Sequence, residues 1–135
     1  AVDRCASLIR EIGGSPCLVN FGGDLAATGA PTRRRRWQVA IEGVAVDAPD
    51  RIIDLKQGGL ATSGDARRFV FRDGVRYSHI LNPTTGWPVP DAPRSITIAA
   101  GSCVEAGMTS TLAMLQGAAA ERFLAAQDVV YWCRR

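Results

Sequence analysis

No stretch of the sequence is apolar for long enough to cross a bilayer, because charge, glycine or proline interrupts even the most hydrophobic runs. A membrane span is thereby excluded. Imidazole is nearly absent: His79 is the single histidine, and the four cysteines, Cys5, Cys17, Cys103 and Cys133, include no closely spaced pair. A structural zinc site has nothing to start from, and the spacing is unlike that of a disulfide-stapled miniprotein, so buried thiols are expected. Also missing are an internal repeat, a G-x-S-x-G elbow and the strict strand–helix alternation of a Rossmann domain. Ala1 opens the sequence without a basic region or a signal-type apolar run. The chain reads as soluble, and its location, cytoplasmic or exported from a longer precursor, is not written in it.

What is present suits one domain. The 135 residues are 47% hydrophobic and 21% charged, values of an ordinary folded chain with a real core. Much of the net charge of +3 sits in Arg33, Arg34, Arg35 and Arg36, just before Trp37. Without a recognition helix or repeated aromatic platform, the run reads as a solvated turn entering a strand, and no nucleic acid partner is expected.

The apolar positions Val2, Cys5, Leu8, Ile9 and Ile12 recur at helical spacing before Gly13-Gly14. Short strands are expected at Cys17-Leu18-Val19, Trp37 to Ile41 (with a loop after it), Ile52 to Leu55 and Leu60 to Ser63. Phe69-Val70-Phe71 and Val75 to Ile80 flank Asp73-Gly74, a hairpin signal that puts His79 near the end of the second strand. Asn82-Pro83 and Gly86-Trp87-Pro88 force an irregular connection, and Ser95 to Ala99 alternates as a strand. Ser102 and Glu105 form a capping-box pattern ahead of Met108, Thr111, Leu112 and Leu115, predicting a helix from about Cys103 to Gln116. A helix over Ala118–Ala126 and a strand at Val129 to Trp132 close the chain. This order predicts an α+β or mixed α/β fold, a largely antiparallel sheet packed by helices.

Three turns beside strands are candidate sites: Asn20-Phe21-Gly22-Gly23-Asp24, Ala61-Thr62-Ser63-Gly64-Asp65, and Ser78-His79-Ile80-Leu81-Asn82-Pro83. Glycine turns present backbone N–H groups to phosphate oxygens, hydroxyls add donors, and a carboxylate can orient a hydroxyl or bind a metal. The same residues also have plain structural readings. Asp24 can close its turn, His79 can be a hydrogen-bonded junction residue, and Thr111 can bond its own helix backbone. Trp37 and Trp87 suit core or rim positions. Ser63, His79 and Asp24 supply the residue types of a serine hydrolase, without its motif.

The order and wording of these segments are more specific. Asn20-Phe21-Gly22-Gly23-Asp24, Trp37-Gln38-Val39-Ala40-Ile41, Ala61-Thr62-Ser63-Gly64 and Tyr77 to Pro88 together resemble the FAD:protein FMN transferase family, the ApbE-like flavin transferases. Ser95-Ile96-Thr97-Ile98 and the helix with Thr111 are similar to that family's closing section. The resemblance covers nearly the whole chain. It implies that residues 1–135 form a single C-terminal part of a flavin-transferase domain of T-fold-like architecture, whose N-terminal portion is absent here and comes from a preceding segment or a companion chain.

The resemblance further implies FAD as substrate and a flavin-acceptor protein as partner, FMN passing to a threonine or serine hydroxyl with release of AMP. It places Asn20, Gly22 and Gly23 in the pocket, Thr62, Ser63 and Gly64 at a neighbouring phosphate or flavin contact, and His79 and Asp24 as the catalytic candidates. In the family an aspartate and a threonine one helical turn apart bind magnesium. The threonine corresponds to Thr111, but the aspartate position holds Gly107, which has no side-chain oxygen. That departure weakens the implied Mg2+ site and favours, as the alternative, a non-catalytic flavin-binding or structural module.

Overall fold

The computed structural model describes residues 1–41, 51–65 and 68–135; the loop expected after Ile41 falls in 42–50, outside the described residues. Helix α1 (Val2–Glu11) leads into β1 (Leu18–Phe21), β2 (Asp24–Ala27), β3 (Trp37–Ile41), β4 (Arg51–Leu55), β5 (Gly58–Gly64), β6 (Phe69–Arg72), β7 (Val75–Ser78) and β8 (Ser95–Ala100). Helix α2 (Cys103–Met114), a 3₁₀ turn (Gly117–Ala119), helix α3 (Ala120–Ala125) and β9 (Val130–Arg134) follow. The expected helix over Ala118–Ala126 therefore begins as a tighter turn, and the last strand starts one residue later than expected and runs on to Arg134.

Five strands form the central sheet in the order β1-β2-β5-β8-β9, all antiparallel, as expected. Two further pairs, β3–β4 and β6–β7, form separate antiparallel ribbons. Period-two alternation gives the sheet two unlike faces. Val19, Ala26, Ala61, Ile96 and Ile98 face the helices and share a core with Ala106, Ala113, Met114 and Leu124. Leu25, Ala27 and Leu60 face the other way and meet Val39 and Leu55 of the β3–β4 ribbon. Ile96 and Ile98 are fully buried, each worth roughly 1.5–3 kcal/mol of hydrophobic stabilisation.

Helix α2 is poor in strong helix formers around Gly107, Thr109, Ser110 and Thr111, so its caps and packing must hold it. Ser102 accepts from the Glu105 N–H at 3.2 Å, whereas the Glu105 carboxylate bonds Gly101 N at 3.1 Å, so the expected capping box closes one residue early. The remaining amides are met from α1: Asp3 accepts from Cys103 N at 2.9 Å and from Val104 N at 2.8 Å. The buried residues of α2 are Cys103, Ala106, Ser110, Ala113 and Met114; all but the last are small, and these let the helix lie close on β5 and β8. A Cβ on Gly59 would fall 2.0 Å from Cys103 N, a measure of that closeness.

The apolar stripes read from the sequence need correction in detail. In α1 the stripe facing the core is Val2, Cys5, Ala6 and Ile9, while Leu8 and Ile12 stand in solvent. In α2 the larger residues Val104, Met108 and Leu112 are exposed, and small residues face the sheet along most of the helix, with Met114 buried at its end. Of the four cysteines only Cys103 is fully buried, and all four are free thiols. Arg33 to Arg36 form an exposed turn before β3, as read from the sequence. Among the described residues no helix is long and apolar enough to cross a membrane.

Arg135 fastens the last strand to the helical layer. Its guanidinium bonds Glu121 at 2.8 and 2.5 Å and donates to the Asp91 carbonyl at 2.8 Å. These bonds hold the Glu121 carboxyl down at about 2, from an ordinary 4.5. Because the folded carboxyl titrates below the unfolded one, the pair's stabilisation is complete above pH 4.5 and is lost as the pH falls towards 2. Arg135→Ala should remove that part of the acid-unfolding curve, so that circular dichroism shows parent and variant diverging above pH 4 and converging near pH 2.

Candidate active site

The β1–β2 connection needs two residues with left-handed backbone, and Gly22 (φ 66°) and Gly23 (φ 105°) supply them. The Asn20 side-chain oxygen accepts from Gly23 N at 2.9 Å and fixes the turn. Phe21 and Asp24 are left exposed on either side of it.

On β5, alternation sends Thr62 and Ser63 to opposite faces. The Thr62 hydroxyl pairs with Thr97 at 2.8 Å. Ser63 faces α2, its Oγ 2.8 Å from Ser110 Oγ and 3.0 Å from Thr111 Oγ1. Ser110, fully buried, donates to the Gly107 carbonyl at 3.0 Å. Each hydroxyl has one proton, so the directions follow. Ser110 spends its proton on Gly107, Ser63 must then donate to Ser110, and Thr111 must donate to Ser63. Only lone pairs of the Thr111 oxygen remain for a ligand.

His79 is one residue beyond β7, because the strand expected to run to Ile80 stops at Ser78. Its Nδ1 lies 2.9 Å from the Arg68 carbonyl oxygen, which can only accept. Nδ1 therefore carries the proton, and in the neutral ring Nε2 is the free base.

These groups surround one cleft of about 710 Å³, lined by Gly22, Asp24, Thr62, Ser63, Gly64, His79 and Thr111 among others. Asn20 and Gly23 shape the turn without lining the cleft. Gly64 is bare for a packing reason as well, since a Cβ there would meet the Arg94 carbonyl at 2.5 Å. A second, apolar cleft of about 530 Å³ runs along Val104, Gly107, Met108 and Leu112, and shares Phe21, Asp24 and Thr111 with the first. Both volumes suit a small-molecule ligand. Ser110 and Arg68 escaped the sequence reading. Ser110 could have been found on the helix face it shares with Ala106 and Ala113, whereas Arg68 acts through its backbone carbonyl, on which the sequence is silent.

Cys103, at the wall of the apolar cleft, is no nucleophile. Burial pushes its thiol up to about 11, helped by the Asp24 and Asp3 carboxylates. Among the described residues no three His, Cys, Asp or Glu side chains cluster as metal ligands. Asp24 and Thr111 line both clefts and offer a carboxylate and a hydroxyl oxygen, ligand types that suit a hard cation.

The helix-covered antiparallel sheet that carries this cleft is shared with solved flavin transferases. The ApbE protein of Thermotoga maritima superposes with a TM-score of 0.85 at 28% identity over 98% of this chain and 44% of that one. The flavin transferase ApbE from Vibrio cholerae gives 0.82 at 32% identity over 98% and 42%. The ApbE family profile matches residues 1–132, and the chain belongs to that family. Its sequence is 36% identical over 118 residues to the FAD:protein FMN transferase of Vibrio cholerae serotype O1, covering 86% of this chain and 35% of the relative. It is 34% identical over 119 residues to that of Escherichia coli K12, covering 87% and 34%. The chain thus spans about a third of the length of the curated relatives it matches.

Ser110→Ala should destabilise the chain by roughly 0.5–1.5 kcal/mol, because the fully buried Ser110 hydroxyl loses its bonds to the Gly107 carbonyl and to half-buried Ser63. Urea unfolding measures it, and a change below about 0.5 kcal/mol would contradict the relay.

Proposed function

We propose that this chain forms the C-terminal part of a FAD:protein FMN transferase. The observation that carries the reading is the hydroxyl relay, which turns the lone pairs of Thr111 outward where Asp24 and His79 line the same cleft. The apolar cleft suits an aromatic ring of FAD and the polar cleft its pyrophosphate, with Phe21, Asp24 and Thr111 at the boundary. The remainder of the flavin pocket comes from a preceding segment or a companion chain. The exposed Val104, Met108 and Leu112 and the one-third coverage of the relatives support that division.

In the proposed reaction a threonine or serine hydroxyl of the acceptor protein attacks the phosphorus of the FMN half. The bond to the AMP phosphate breaks, AMP leaves, and the hydroxyl proton passes to His79 Nε2, which the Arg68 carbonyl holds as the free base. Asp24 beside a pyrophosphate would only repel it, which is why Asp24 and Thr111 are assigned to holding Mg2+. When bound, Mg2+ supplies charge neutralisation of the pyrophosphate. Gly107 favours a second reading, flavin binding without transfer, since it withholds the second carboxylate that would tighten the cation.

In a protein completed by its N-terminal portion, AMP release from FAD with an acceptor protein tests the first reading. His79→Ala should lower the rate on the order of 100-fold, the lower end of a general base's usual contribution, while Arg34→Ala leaves it near the parent's. Equal loss in both would assign the effect elsewhere.

A Cβ at Gly107 meets only the Ala61 methyl, at an ordinary 3.8 Å, so a side chain fits. Gly107→Asp should raise magnesium affinity by calorimetry and AMP release together, with Gly107→Asn giving less because it adds oxygen without charge. If both quantities stay unchanged in folded, FAD-binding protein, position 107 does not face the cation.

A further inference from the structure

Among the described residues the β6–β7 ribbon shares no strand pairing with the central sheet, yet His79 follows directly on its second strand. All four residues of β6 are exposed, including Phe69, Val70 and Phe71, so burial does little to hold it, and an isolated two-stranded hairpin is marginal by itself. What joins it to the sheet is a cluster of charges. Asp65, immediately after β5 and only 7% exposed, receives Arg76 Nε of β7 at 3.0 Å on Oδ2, and a second Arg76 nitrogen donates to the Asp65 backbone carbonyl. Arg94, just before β8, places its Nε 2.9 Å from Oδ1 without its N–H aimed at that oxygen, and its carbonyl accepts from Asp65 N at 3.0 Å. The Arg76 guanidinium also lies 3.3 Å from the Phe69 ring centroid, which ties the partner strand to the same point.

We propose that Asp65, with Arg76 and Arg94, is a positioning residue for His79: the clamp sets where the hairpin stands and so keeps the imidazole on the Arg68 carbonyl and beside Ser63 and Thr111. The catalytic consequence rests on the transferase reading; the placement of the ring does not. Arg76, on β7, is three residues before His79, which follows the end of that strand. Arg68, whose carbonyl fixes the ring, directly precedes Phe69 on the other. A carboxylate that grips β7 from the end of β5 therefore fixes both groups of the His79 hydrogen bond relative to the hydroxyl relay. A neutral Asn keeps the shape and one oxygen but loses the charge that holds two guanidinium groups.

Because the chain has a single histidine, its imidazole nitrogens give one set of signals in a long-range 1H–15N spectrum. The parent should show the Nδ1–H tautomer, and Asp65→Asn should show a mixture, with α2 and the central sheet unchanged in the amide spectrum. In the completed protein the same variant should lower kcat on the order of tenfold or more, with KM for FAD little changed. Arg76→Lys, which keeps the charge but loses the planar fork that reaches the Asp65 side chain and backbone from two nitrogens, should do the same and serves if Asp65→Asn does not fold. Unchanged imidazole signals in a folded variant overturn the proposal, and so does loss of the whole fold in both, which assigns the clamp to stability alone. If the tautomer shifts while even the parent releases no AMP, the positioning stands and the transferase reading falls.

Discussion

The close approach of α2 to β5 is the constraint on which the rest of the molecule depends. It is possible because both surfaces are lined by small residues: Gly59 and Ala61 on the strand, Ala106, Ser110 and Ala113 on the helix. A larger residue on either side would lift the helix, and hydroxyl contacts of 2.8 and 3.0 Å would open. Packing and chemistry are thus one feature here. The pair of elements that buries Ile96 and Ile98 beneath the helices also aligns Ser63, Ser110 and Thr111.

The same economy explains where sequence reading succeeded. Asp73-Gly74 announced its hairpin because both residues take left-handed backbone, φ 52° and 77°, which few other pairs tolerate. Ser102 announced the start of α2 because a side-chain cap is a local event. The glycine turn, Ser63, His79 and Thr111 were legible as wording before any geometry was known. The buried face of α2 was not, since hydrophobic periodicity registers large residues, and here the large ones, Val104, Met108 and Leu112, line a cleft. Ser110 was missed for the same reason. The Asp65 clamp joins residues from three elements, and no local pattern reports such a meeting.

Polar groups in this protein fix direction as well as position. A serine that must donate to a helix carbonyl decides, through two further hydroxyls, which side of Thr111 is electron-rich. A main-chain carbonyl opposite His79 decides which ring nitrogen is basic. Each works by leaving a hydroxyl or imidazole a single way to satisfy its partners.

The cap that Asp3 places on α2 spans 100 residues of sequence. Closing a loop of that length costs roughly 4 kcal/mol in chain entropy beyond the fixed term, and the cost must be met before any bond is made. On the ribosome α1 would emerge long before the helix whose amides it serves, and would wait without its counterpart while all the intervening strands were synthesised. The junction of α1 and α2 therefore cannot form until the hundred residues that separate Asp3 from Cys103 have been made, and the wall of the cleft that includes both is completed only after that.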